Sequence, residues 1–106
     1  MAWLTLLVAG LLEVVWAFSM KQSAGFTKPL PTMITLVTMI ASFGLLSLSM
    51  RTLPLGTAYT VWTGIGALGA FLAGAAILGE QMNPARVIAA ALIVCGLILM
   101  KVSTPD

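Results

Sequence analysis

The chain has 106 residues, 60% of them hydrophobic and 8% charged, with a mean hydropathy of +1.11; a water-soluble domain carries about 25% charge, so this chain is suited to lipid and holds one domain at most. Five bases against three acids give a net charge of +2, too weak and too scattered for a nucleic-acid binder. The absence of His and the single Cys95 exclude an internal disulfide, the usual zinc ligand sets and Ser-His or Cys-His nucleophile pairs, so no enzyme activity, metal or cofactor is expected.

Charges and prolines punctuate four apolar runs. The first spans about 2–20 and stops at Lys21. It lacks a basic leading segment and a clear cleavage site, so it reads as a span and not as a removed leader. Gly25, Lys28, Pro29 and Pro31 mark a loop, and the second run covers about 32–50 before Arg51. A Pro54-Leu55-Gly56 turn leads to a third run, about 57–78, and Gly79 to Pro84 to a fourth, about 85–100, followed by a tail from Lys101 to Asp106. A bilayer core of ~30 Å takes ~20 helical residues. The first three runs meet this. The fourth is short, with Arg86 and Lys101 placed to snorkel to opposite interfaces. Backbone in lipid must satisfy itself, and alternating β patterning is absent, so the expectation is an all-α membrane protein with one four-helix domain over 1–106.

The odd loops put Lys21, Lys28 and Arg86 on one side, while Arg51, Lys101 and the N-terminal amine lie on the other. Orientation follows the Lys/Arg bias, and here the two sides balance. A single orientation won by a slight bias and insertion in both orientations are both compatible with that count.

Glu13 sits near the middle of the first span, whereas Glu80 and Asp106 lie outside the spans. An acid at mid-membrane costs at least ~2.5 kcal/mol on insertion scales, and intramembrane acids mark ion or substrate paths. Such a carboxyl can carry a proton or an organic cation, though not both comfortably. A plainer role is one interhelical hydrogen bond. One turn either side on the same face lie Ala9, Gly10, Trp16 and Ala17. The small residues leave room, and the Trp16 indole offers a donor that cannot accept, or only bulk. Trp3 suits an interfacial anchor.

In the second span Ser42 is a mid-depth hydroxyl able to satisfy itself one turn back, while Met39 and Phe43 are pliable and apolar, as a lipid-facing portal requires. In the third, Tyr59 and Trp62 share a face that Thr63 and Gly66 continue; a phenol donor and an aromatic wall suit an organic cation, or simple packing. Gly64 and Gly66 permit either a helix bend or close helix approach. In the fourth, Ala89 and Gly96 are two turns apart on one face and read as a helix–helix seam.

These residues carry a resemblance to the small multidrug resistance transporters along nearly the whole chain. Gly10, Glu13-Val14-Val15-Trp16-Ala17, Lys21, Gly25-Phe26, the run Leu53 to Tyr59 and the run Val61 to Ala67 resemble the guanidinium-exporter subtype. Trp16 and Met39 stand where the polyaromatic, quaternary-ammonium subtype has a small residue and an aromatic.

The resemblance implies an antiparallel, dual-topology homodimer in a bacterial inner membrane. It implies that two copies of Glu13 bind guanidinium and protons at one site and that proton influx drives export. Trp16 and Ser42 would hydrogen-bond Glu13, Tyr59 would reach the site, Trp62 would wall it, and Met39 and Phe43 would flank a portal. Gly10 would also line it. Two departures are Ala89, where the dimer seam often has Gly, and Phe18-Ser19-Met20 before Lys21. The rival readings are a non-transporting membrane subunit and a quaternary-ammonium drug exporter.

Overall fold

The computed structural model describes residues 2–103; the last three positions of the expected tail, including Asp106, lie outside the described residues. Four α-helices follow one another: α1 (Ala2–Gln22), α2 (Pro29–Ser49), α3 (Leu55–Ala76) and α4 (Pro84–Ser103). Each is long and apolar enough to cross a membrane, and no strand occurs among the described residues. The protein is a multi-pass membrane protein.

The helix ends differ from the sequence reading for local reasons. α2 starts at Pro29, inside the expected loop, because a proline in the first turn loses only an N–H that has no intrahelical partner. α3 starts at Leu55 behind an extended Pro54 (φ −61°, ψ 151°). It ends at Ala76, where Gly79 turns left-handed (φ 69°) and the Glu80 N–H returns to the Gly74 carbonyl at 3.0 Å; a left-handed glycine closing back on the last turn is a common helix stop. α4 is longer than expected, 20 residues. Asn83 caps its start by accepting the Arg86 N–H on Oδ1 at 2.9 Å, and Lys101 and Ser103 continue its last turn.

α1 lies between α2 and α3, the α4 backbone packs along α3, and α2 touches α3 only lightly. The result is a slab of 43 × 35 × 16 Å. Its small core is Leu6 and Ala9 from α1, Leu46 from α2, Leu53, and Ala58, Val61 and Trp62 from α3. α4 buries no residue at all. Arg86 and Lys101 do sit near opposite ends of α4: Arg86 donates to the Gln81 carbonyl at 2.9 Å, and the Lys101 ammonium lies 4.8 Å from the Trp3 ring centre. Trp3 and Lys101 thus lie together at one end of the slab.

Candidate functional site

α1 and α3 run in the same direction, and their small residues let them approach closely. A Cβ built on Gly10 would lie 2.6 Å from the Ile65 side chain, one on Gly66 would overlap the Glu13 carboxyl, and one on Gly69 would overlap Val14. The Glu13 carboxyl therefore rests directly on the α3 backbone at Gly66. Its Oε1 is buried without a hydrogen-bond partner in the described chain, as is Trp16 Nε1. A buried polar atom left unpaired costs roughly 1–3 kcal/mol, more for a charged group, so the carboxyl adds nothing to stability here.

One helical turn from Glu13 on α1 and from Gly66 on α3 begins a run of rings from three helices. Trp16 meets Phe43 edge-on (centroids 6.3 Å, planes at 75°), Phe43 meets Trp62 (5.7 Å, 60°), and Trp62 meets Tyr59 (5.6 Å, 49°). Edge-to-face pairs at these separations are individually favourable. Phe43, in the middle of the run, and Tyr59, at its end, are about half exposed, 47% and 52%. Phe43 is thereby part of the wall while still accessible from outside. Met39 lies on α2 one turn before Phe43 and is half-buried.

Ser42 departs from expectation twice. Its hydroxyl does not turn back on α2; it donates across to the Ala9 carbonyl on α1 at 2.7 Å. It also accepts the Trp62 indole N–H at 3.0 Å. The neighbouring hydroxyls do bond one turn back, Thr35 to Pro31 at 2.8 Å and Ser49 to Leu46 at 2.7 Å. Ser42 is thus the polar clasp joining α1, α2 and α3, and neither it nor Trp16 bonds Glu13 here. The clasp fixes Trp62 in the wall one helical turn from Gly66.

The third-helix glycines show close approach. α3 runs unbroken from Leu55 to Ala76, and a Cβ on Gly64 would lie 2.6 Å from Leu97 of α4. On α4, Ala89 and Gly96 are both exposed. Ala89 borders a groove of about 150 Å³ with Phe71, Arg86 and Ile93, and a Cβ on Gly96 would meet nothing within 4 Å. Neither seats another helix of the same chain.

Residues 1–93 match the family described as Small Multidrug Resistance protein. The chain belongs to the small multidrug resistance family. Proteins named "Guanidinium exporter" align with it almost end to end. The one from Citrobacter freundii is 56% identical over 98% of this chain and 99% of its own length. That from Escherichia coli K12 is 53% identical over 98% and 99%, and that from Salmonella typhimurium LT2 is 52% identical over 97% and 98%. Members of the small multidrug resistance family are transporters and not enzymes.

The residues that the sequence reading missed were the counterparts across helices: the Ala9 carbonyl, Ile65 opposite Gly10, and Val14 opposite Gly69. One sequence signal pointed to them. Gly10, Glu13, Val14 and Ala17 on α1 and Gly66, Gly69, Ala70 and Ala73 on α3 follow the same i, i+3, i+4, i+7 spacing, a pair of faces made for parallel packing.

Proposed function

We propose that this chain is a proton-coupled antiporter that exports guanidinium and small substituted guanidinium cations, guanylurea and biguanide-like compounds among them. The supporting observation is Glu13, whose buried carboxyl oxygen has no partner among the described residues and sits on the α1–α3 seam, one helical turn from Trp16 of the aromatic wall. A guanidinium cation offers paired N–H donors to both oxygens of a carboxylate and a flat face to the rings. A proton on the same carboxyl removes the charge and one acceptor. Mutual exclusion at Glu13 couples the two fluxes. The names carried by the relatives support the guanidinium reading.

The test uses proteoliposomes containing only this protein. An imposed proton gradient should drive guanidinium uphill, which leaves no role for a partner subunit. Because protons compete for Glu13, guanidinium affinity should weaken as pH falls between about pH 9 and pH 6. An affinity that stays level across that range would rule out the shared site.

The transporting unit in this proposal is an antiparallel homodimer with two Glu13 carboxyls facing one cavity. One slab only 16 Å thick cannot surround a path for a cation, and α4, with Ala89 and Gly96 exposed along it, is a face for a second copy. The even charge count is compatible with both orientations. Reporters fused to the C-terminus should be active on both sides of the membrane, and two added lysines in the tail should shift the population to tail-inside. A single orientation of the unmodified chain would eliminate the antiparallel pair.

A further inference from the structure

The α1–α3 seam does not end at Glu13. One and two turns further along α1 on the same face come Ala17 and Lys21, and along α3 come Ala70, Ala73 and Gly74. There the helices part around a cavity of about 190 Å³ lined by these residues together with Phe18, Leu78 and Glu80. Val14, packed on Gly69, lies between this cavity and Glu13, and eight helical residues from Glu13 to Lys21 cover about 12 Å.

Glu80 is fixed in this cavity by backbone and not by chance. The left-handed Gly79 (φ 69°) folds the chain back, the Glu80 N–H bonds the Gly74 carbonyl at 3.0 Å, and the carboxylate lies where a Cβ on Gly74 would be. Across from it, α1 presents the Phe18 ring and the Lys21 amine. Among the described residues no ion pair within 4.0 Å joins Lys21 to Glu80.

We infer that this cavity is a second, outer site for planar guanidinium-type cations, with the Glu80 carboxylate accepting their N–H groups and the Phe18 ring covering their face. It would load the seam before Glu13 receives the cation. The inference rests on the guanidinium reading above. Lys21 is the resident competitor: its long stem swings the amine out when a cation arrives.

The experiment removes the inner site first. Full-length Glu13→Gln protein in nanodiscs is titrated with guanidinium chloride at constant ionic strength, and backbone amide shifts are followed. Phe18, Lys21 and Glu80 should shift and saturate, and tetramethylammonium, which has no N–H, should bind less well. Adding Glu80→Gln should weaken binding roughly two- to fivefold, the range for an exposed charge pair. Phe18→Leu should weaken it by a similar factor, roughly two- to fivefold for a cation over an exposed ring. Lys21→Met should strengthen it. A Lys21–Glu80 latch that merely closes the seam predicts the opposite, with Lys21→Met and Glu80→Gln acting in the same direction, and that result overturns the site. So does the lack of any saturable shift in Glu13→Gln protein. Should that variant fail to fold, Glu80→Gln in the otherwise unmodified chain must raise the half-saturating guanidinium concentration roughly two- to fivefold; no change would again overturn it. If the unmodified protein moves no guanidinium in proteoliposomes, the transport reading fails; if it does and these shifts do not occur, only the outer site fails.

Discussion

Glu13→Gln should abolish proton-driven guanidinium transport and guanidinium-driven proton movement together, with the helices still assembled. Gln keeps the length and shape that lie against Gly66, so packing gives no reason for unfolding. What it lacks is charge and titration. Each charge-assisted hydrogen bond to guanidinium is worth about 1.5–3 kcal/mol. Losing a bidentate pair therefore lowers affinity by roughly a hundredfold or more, and no proton can be exchanged for the cation. Stability should hold or rise, because a neutral amide costs less to keep in apolar surroundings than an unpaired carboxylate. The measurements are solid-supported-membrane currents for transport and thermal unfolding in detergent for the fold. Coupled transport surviving in Glu13→Gln would remove Glu13 from the mechanism. A collapse of folding with the loss of transport would instead make Glu13 structural.

The four spans were readable from the sequence because lipid imposes long apolar runs and charges interrupt them. The ends were less readable. Pro29 reads as loop punctuation, although a proline at the start of a helix surrenders nothing, and Lys101 reads as the end of α4, although a lysine in the last turn is compatible with helix and favourable there.

Glu13 stood out for the same reason that the spans did: a charge within an apolar run has no cheap explanation. Its surroundings were harder, because a single sequence shows which residues share a face but not which face meets which. Ser42 illustrates this. A serine within a helix ordinarily bonds its own preceding turn, and Thr35 and Ser49 do so. Ser42 escapes because Ala9 is small enough to bring the α1 carbonyl within 2.7 Å. The ring wall likewise spans three helices, so its sequence trace was only the Tyr59–Trp62 pair.

The glycines of α3 offer the other large effect. Gly66→Ala should reduce guanidinium affinity at least about tenfold while altering stability little. The new methyl would occupy the space of the Glu13 carboxyl, so the carboxyl must swing aside or the α1–α3 seam must open. Overpacking of this kind costs typically 1–3 kcal/mol, offset in part by the roughly 1 kcal/mol gained when Ala replaces Gly in a helix. The stability change is thus modest, but the acid loses its seat beside the wall, and misplacement by about 1 Å can cost a hundredfold in rate. Gly64→Ala is the control. Its methyl would meet the end of the Leu97 side chain at 2.6 Å, a flexible group on α4 that can move without touching Glu13. If the glycines serve mainly to bend α3, the two substitutions should impair transport alike. If Gly66 is the seat of Glu13, only Gly66→Ala should weaken guanidinium binding, and Glu13→Asp, shorter by one methylene, should recover part of the loss in the Gly66→Ala background. Equal defects at Gly64 and Gly66 with no recovery by Glu13→Asp would return the glycines to bending and leave the position of the carboxyl to be explained by other contacts.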